Sequence, residues 1–466
     1  MLKKNDCFNL EIYDITNLGF GVGKKDGQIV FVSGAVPGDL IFAKVIKVTK
    51  SYSVARCERF IKLSDRRCTP RCENRLCKSC AYKELDYSYE LSLKENTIRA
   101  AFQKEGLSSI KVMPTTPSPK TAGYRNKAQY PVFKNNNGEY IIGFYAPKSH
   151  RVTEAADCPL APKIFSEINE VLRAFFKKEE LSVYDEESGE GLLRHIYLRR
   201  GEVSGEILLT LVINGTTIPH ESELVSLLTE RFADIVGILI NENTENTNVV
   251  LGEKYTLLYG RDYILDTLSG VELKITAPSF YQVNHDATEL LYAKARELAR
   301  LEKGDLLLDL FCGAGSIGLS MAEDTGELIG VEIVESAVEC ATENATRAGI
   351  ENSSFFAGDA AETENLLAKA ERALGRKITP DVIILDPPRA GCDERLVDFA
   401  SSLSPKRIVY ISCNPSTLAR DVKRFSENGY FCDTVWGFDL FPMTGHVESV
   451  VCLTRRLDNE LRERMN

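Results

Sequence analysis

The sequence predicts an α/β protein: a C-terminal Rossmann-like domain, preceded by a small OB-like β-barrel and a central α+β domain. Three observations carry this. After residue 300, short apolar runs alternate with helical segments, the pattern of a doubly wound parallel sheet covered on both faces. The first 60 residues hold short β-rich segments separated by regular turn signals, as in small barrels. A Gly-rich turn, Gly313-Ala314-Gly315-Ser316-Ile317-Gly318, joins one apolar run to a helix. At about 100–200 residues per domain, a chain of 466 residues makes two to four domains. The reading here is three: 1–60, 61–270 and 271–456.

In the first domain Cys7–Ile15, Gln28–Val32 and Leu40–Val48 read as strands, separated by Asn17-Leu18-Gly19, Lys25-Asp26-Gly27 and Pro37-Gly38-Asp39. Four cysteines follow: Cys68, Cys72, Cys77 and Cys80. Tyr82 to Gln103 reads as a helix, with apolar positions at Leu91, Leu93, Ile98, Ala101 and Phe102, and is expected to pack on the C-terminal domain. The Pro-rich stretch 113–119 ends it and reads as a linker. Residues 120–270 alternate strands and helices, with Tyr140–Tyr145 and Glu206–Asn214 as strands. Beyond them Leu306–Phe311, Glu327–Glu332, Phe355–Asp359, Val382–Leu385, Ile408–Ser412 and Val447–Leu453 read as strands, with a helix over Ala337–Ala348.

The net charge of −10 is unevenly spread. Residues 1–158 carry 26 Lys+Arg against 16 Asp+Glu, and the rest of the chain is correspondingly acidic. A basic front third on an acidic body suits a polyanion such as RNA or DNA, and equally suits solvated surface lysines. Apolar runs such as Val382–Leu385 fall far short of the ~20 residues of a membrane span. The first residues, Met-Leu-Lys-Lys-Asn-Asp, lead into no apolar signal segment, so a cytoplasmic protein without membrane contact is expected. In that compartment 13 cysteines are not a disulfide framework.

The chemistry-bearing residues gather at the ends of the C-terminal strands. Asp309 precedes the glycine turn, and Glu332 ends the next strand, where an acid meets a ribose diol. The pair fits S-adenosylmethionine better than a dinucleotide, although a tight turn without ligand has the same glycines. Asp386-Pro387-Pro388-Arg389 follows a strand, and its two prolines make a stiff, extended loop that can hold a carboxylate beside a cofactor and a planar base, or merely connect. Cys413 in Ser412-Cys413-Asn414-Pro415 also follows a strand, the address of a nucleophile in an open α/β sheet, though cysteines are often plain core residues. Glu448 starts the last strand, and a carboxylate in a partly apolar site can act as a general base; otherwise it is an exposed strand-end acid. His446 beside it reads as a structural hydrogen-bonder.

Together, Phe280-Tyr281-Gln282-Val283-Asn284, the Asp309 loop, Asp386-Pro387-Pro388-Arg389, Ser412-Cys413-Asn414-Pro415 and Gly445-His446-Val447-Glu448 resemble the RNA uracil-5-methyltransferase family in order and spacing. The barrel resembles that family's TRAM domain and the cysteines its iron–sulfur motif, so nearly the whole chain is covered. The resemblance implies methylation of C5 of a uridine in RNA, 23S ribosomal RNA ahead of transfer RNA, with no obligate protein partner. A non-catalytic RNA-binding protein retaining the fold is the other reading, against which the pair Cys413 and Glu448 argues. The resemblance further implies that Gln282, Phe311, Glu332 and Asp386 line the pocket for S-adenosylmethionine and the target base. Ser316 and Asp359 match further cofactor positions, Cys413 is the nucleophile and Glu448 the base. Those residue types suit the chemistry. Uracil C5 is a poor nucleophile until a thiolate adds to C6, and a base must then remove the C5 proton before the thiolate departs.

The resemblance also makes Cys72, Cys77, Cys80 and Cys158 the ligands of a [4Fe–4S] cluster. The family spacing is Cys-x5-Cys-x2-Cys, and Cys72 stands one residue too close to Cys77, with Cys68 an extra thiol nearby. From the residues alone, zinc on Cys68, Cys72, Cys77 and Cys80 is equally open.

Overall fold

Alternation of inward and outward side chains builds the first unit. Strands β1 (Cys7–Ile15), β2 (Phe20–Lys25), β3 (Gln28–Ser33), β4 (Leu40–Val48) and β5 (Tyr52–Lys62) close into a barrel in the order β1-β2-β3-β5-β4. Ile41, Ala43 and Val45 of β4 point inward with Leu10, Ile12, Val30 and Val32. The barrel is narrow: a Cβ on Gly23 would meet the Leu10 side chain at 2.6 Å. Two strands have no clear signal in the sequence: β2, whose glycines weaken a strand pattern, and β5, whose outer half is exposed and charged. The computed structural model describes residues 2–455 apart from 71, 75, 78, 147, 148, 150 and 360–366, so the expected domain end at 456 lies outside the described residues.

Helix α1 (Tyr87–Lys104) starts later than the apolar spacing suggests. Asp86 caps it by accepting from Ser88 N and Tyr89 N, and Tyr82–Leu85 form a buried turn instead. The proline-rich segment after α1 is not a linker. It carries β6 (Lys111–Val112), Met113 N donates to Val435 O (2.9 Å), and Thr116 N donates to Gly437 O (2.8 Å). This segment is the sheet's edge, and the N–H groups that Pro114 and Pro117 lack are not needed there.

Strands β7 (Lys127–Lys134), β8 (Tyr140–Tyr145) and β9 (Val152–Glu154), helix α2 (Lys163–Lys178), β10 (Leu193–Arg200), β11 (Ile207–Ile213), helix α3 (Glu221–Arg231), β12 (Ile235–Glu242) and β13 (Lys254–Gly260) make the central domain. Its sheet runs β13-β12-β11-β10-β7-β8-β9, and α2 and α3 pack on it through Phe165, Leu172, Phe176, Leu224 and Leu228. The hairpin β14 (Tyr263–Leu268) and β15 (Val271–Thr276) leads to α4 (His285–Ala299).

The last domain holds β16 (Leu306–Leu310), α5 (Ser316–Ser320), β17 (Glu327–Glu332), α6 (Glu335–Arg347), β18 (Ser353–Ala357), α7 (Ala368–Leu374), β19 (Val382–Leu385), α8 (Glu394–Ser402), β20 (Arg407–Ser412), α9 (Pro415–Glu427), β21 (Tyr430–Phe431), β22 (Thr434–Phe438) and β23 (Glu448–Arg455). The sheet order is β18-β17-β16-β19-β20-β23-β22-β6. The first five strands are parallel, and β16, β19 and β20 are almost wholly buried, as a sheet covered on both faces requires. Beyond them the sheet is mixed, because β23, whose direction the sequence leaves open, runs antiparallel to both β20 and β22. The α/β class, the N-terminal barrel and the Rossmann-like sheet are as the sequence predicts. No helix among the described residues is long and apolar enough to cross a membrane.

Candidate active site

In an open α/β sheet the ligand crevice opens at the carboxyl ends of the strands, where the order reverses. Here that point lies between β16 and β19, and a cavity of about 810 Å³ sits over it. Gln282, Phe311, Glu332, Asp359, Asp386, Cys413 and Glu448 all line this cavity. Ser316 does not: its hydroxyl is 2.9 Å from Tyr292 Oη, at the start of α5.

Each side chain is set by its strand end. Phe311 leaves β16 with φ +68°, and its N–H, like that of Cys312, donates to Val331 O. Gly313 and Gly315 also take positive φ (+53° and +82°), which side-chain-bearing residues rarely adopt. Glu332 holds this turn from the end of β17: its carboxylate accepts from Gly313 N (3.1 Å) and Val334 N (3.0 Å). Asp309 lies beneath the turn, accepts from Gly318 N (3.0 Å), and leaves its other oxygen buried without a partner among the described residues.

Register brings Cys413 and Glu448 to one end of the sheet. Ser412 of β20 pairs with Ser449 of β23, so the next residue outward on each strand, Cys413 and Glu448, reaches the same carboxyl edge. Both line the cavity, and the Glu448 charge acts on the thiol. Asn414 caps α9 with Pro415 behind it, and its amide donates to Arg389 O (3.2 Å), tying the Cys413 turn to the Asp386-Pro387-Pro388-Arg389 loop.

The electrostatics are those of a pocket with buried acids. Burial pushes Asp386 up to about 7. Burial, then the Asp386 charge, pushes Glu448 up to about 8. Burial, then Glu448 and Asp386, raises the Cys413 thiol to about 11, with Arg389 pulling the other way. Two carboxylates and a thiol that oppose one another's ionisation are a frequent mark of proton-transfer sites.

Two contributors come from the central domain, about 150 residues away in the chain, and no pattern in the sequence marks them. Asn126 Nδ2 donates to Gln282 O (2.8 Å) and so fixes the cavity's other lip. Lys127 lines the cavity itself, and burial, then Arg199 and Arg125, lowers its ammonium to about 8. Phe280, 71% exposed, stands at the mouth.

A second cavity of about 620 Å³ is lined by Cys72, Cys77, Cys80 and Cys158, together with Arg125 and Lys127. Burial, then the neighbouring Cys158, Cys77 and Cys72, pushes Cys80 up to about 12. Cys68 is outside this cavity, and its thiol points to Leu85 O (3.0 Å). Among the described residues no three His, Cys, Asp or Glu side chains converge as ligands of a metal ion.

The geometry has counterparts among known proteins. A profile of the tRNA (uracil-5-)-methyltransferase family matches residues 86–456. The chain belongs to that family. Uncharacterized RNA methyltransferases of Clostridium acetobutylicum and Lactococcus lactis are 37% and 39% identical, each over 97% of this chain and 98% of the relative. The crystal structure of the Pyrococcus abyssi tRNA (uracil-54, C5)-methyltransferase with S-adenosyl-L-homocysteine superposes with a TM-score of 0.77 at 28% identity, over 96% of this chain and all of that one. The protein is thus an S-adenosylmethionine-dependent RNA methyltransferase of the uracil-5 family.

The cavity suits that cofactor on its own terms. Leu310, Phe311, Val331 and Ile333 offer apolar surface for a base, and Glu332 offers a carboxylate to a ribose diol. Glu332→Ala is expected to weaken S-adenosylmethionine binding about 10–100-fold in titration calorimetry, the value of hydrogen bonds to a charged group. Unchanged affinity would remove Glu332 from that role.

Proposed function

We propose that the protein methylates C5 of a uridine in RNA through a covalent bond between Cys413 and uracil C6, with Glu448 as the base that takes the C5 proton. The pairing of Ser412 with Ser449 supports this reading, since it brings a thiol and a carboxylate to the same edge of the sheet, in a cavity that Phe311 and Gly313 also line. S-adenosylmethionine, when bound, supplies an electrophilic methyl group on sulfur. The chain's residues do the rest. Gln282, Phe311, Glu332, Asp359 and Asp386 hold the cofactor and the target base. The Cys413 sulfur gives up its proton to solvent, adds to C6 as the thiolate and makes C5 nucleophilic. Once C5 carries the methyl group, Glu448 accepts the C5 proton, and the C6–S bond breaks with its electron pair on sulfur, restoring the aromatic base and the thiolate, which regains a proton from solvent. Held up to about 8, the Glu448 carboxylate is, once ionised, a stronger proton acceptor than an ordinary carboxylate.

For the target we favour 23S ribosomal RNA, on the barrel and the thiol site that the resemblance associates with that branch. The barrel then acts as a TRAM domain at the front of the RNA-binding surface. Transfer RNA is the second reading, and the likeness to the Pyrococcus abyssi enzyme over 96% of the chain favours it. Mass mapping of 5-methyluridine in both RNA classes from a strain lacking the protein separates them: the modified position disappears from 23S RNA on the first reading and from transfer RNA on the second. Retention of every 5-methyluridine would overturn both.

Cys72, Cys77, Cys80 and Cys158 are proposed to hold a [4Fe–4S] cluster. The four thiols line one cavity of about 620 Å³, and four cysteines are the ligand set of such a cluster. Bound cations would also offset the burial and the neighbouring thiols that together raise Cys80. Protein purified without oxygen should be brown and carry about four irons per chain. One zinc and no iron would contradict the assignment.

A further inference from the structure

The loop from Asp439 to Val447 joins β22 to β23 and closes one side of the catalytic cavity with Phe441. The rest of the chain grips it from behind. Lys94 Nζ donates to Phe441 O (3.1 Å) and Tyr124 Oη to Pro442 O (3.1 Å). Met443 N donates to Glu90 Oε1 (2.8 Å), and Met443 O accepts from Tyr82 N (2.9 Å). Gly445 lies against the barrel, where a Cβ would meet Asn17 Cα at 2.5 Å.

Met443 is the centre of this grip. Its φ is +69°, a conformation that glycine takes freely and methionine does not. Its side chain is buried with Tyr124 and Leu160, and Cys80 and Cys158 pack against the same cluster. A short segment therefore meets the thiol site through Met443 and the catalytic cavity through Phe441. The strand that carries Glu448 begins just beyond it.

We propose that Met443 is a positioning residue that ties the four-thiol site to the catalytic cavity. The thiol wall seats its side chain, and the seated loop fixes Phe441 and the entry to Glu448. The inference rests on the catalytic reading of this cavity, but not on what the thiols bind.

The test uses the full chain as purified, with Met443→Ala, Met443→Leu, Leu160→Ala and the double variant Met443→Ala/Leu160→Ala. The readouts are the rate of Cys413 alkylation by iodoacetamide, followed by peptide mass, and KM for RNA, kcat, cofactor affinity and melting temperature. Met443→Ala should change Cys413 alkylation and raise KM for RNA several-fold with cofactor affinity kept, and Met443→Leu, which conserves volume, should restore both. Leu160→Ala should move the same way, and the double variant should be no worse than Met443→Ala alone, as residues acting through one contact are non-additive. A lowered melting temperature with Cys413 alkylation and RNA KM unchanged would overturn the proposal, as would effects that simply multiply. If Met443→Ala does not fold, a folded Leu160→Ala with unchanged alkylation overturns it alone. Alkylation needs only an accessible thiol, so it reads the loop even if Cys413 proves not to be the nucleophile.

Discussion

Cys413→Ala is expected to bind cofactor and RNA and to transfer no methyl group above background. The side chain is half-buried at the end of β20, and alanine removes only the sulfur, so the turn pinned by Asn414 stays in place. Loss of all methylation with binding intact separates a chemical role from a packing role, which would lower stability and spare residual activity. The wild-type thiol, raised to about 11, is protonated at rest. Its alkylation and the methylation rate should therefore both climb as pH rises from neutrality. A flat profile between pH 6 and about 9 would place the nucleophile elsewhere.

Glu448→Gln is expected to slow turnover by about 10²–10⁴-fold, the usual contribution of a positioned base. Two further signs follow from the same carboxylate. Its charge helps raise the Cys413 pKa, so the amide should shift the pH limb of Cys413 alkylation downward. In the folded chain Glu448 titrates near about 8 instead of its ordinary 4.5, so between those values the folded state holds a proton the unfolded chain has released. Its contribution to stability thus falls as pH rises through that window, and Glu448→Gln removes the fall. Urea melts at pH 5 and pH 8 should show the variant gaining on the wild type at the higher pH. A stability difference independent of pH would mean that Glu448 is not held in a low-dielectric site.

How much of this the sequence contains depends on how local each feature is. Asp309, Glu332, Asp386 and Cys413 each follow a short apolar run, and a strand end can be read from its own few residues. That Cys413 and Glu448 reach the same cavity cannot be read this way. It depends on an antiparallel pairing of β20 with β23, a long-range pairing that no local pattern specifies. Segment 111–116 was hidden for the opposite reason: its prolines mark a linker locally, while β22 supplies the partner that makes it a sheet edge. Lys127 reaches the cavity, and Asn126 the backbone of Gln282 at its edge, through the docking of the central sheet. Spacing leaves Cys68 beside Cys72 as a local thiol, with Cys72 favoured by the resemblance; their places differ only in three dimensions, where Cys72 lines the thiol cavity and the Cys68 thiol points to Leu85 O.

The central claim is that Cys413 and Glu448 act at opposite ends of one reaction. The direct test incubates Glu448→Gln with substrate RNA and S-adenosylmethionine, resolves the products on a denaturing gel and maps the crosslinked peptide by mass. With the base gone, the thiol still adds and C5 still gains its methyl group, but the proton stays. The account predicts RNA covalently joined to the Cys413 peptide, with the uracil one methyl group heavier, and no such species in Cys413→Ala. Free methylated RNA released by Glu448→Gln at the wild-type rate, or an adduct on any other residue, would contradict it.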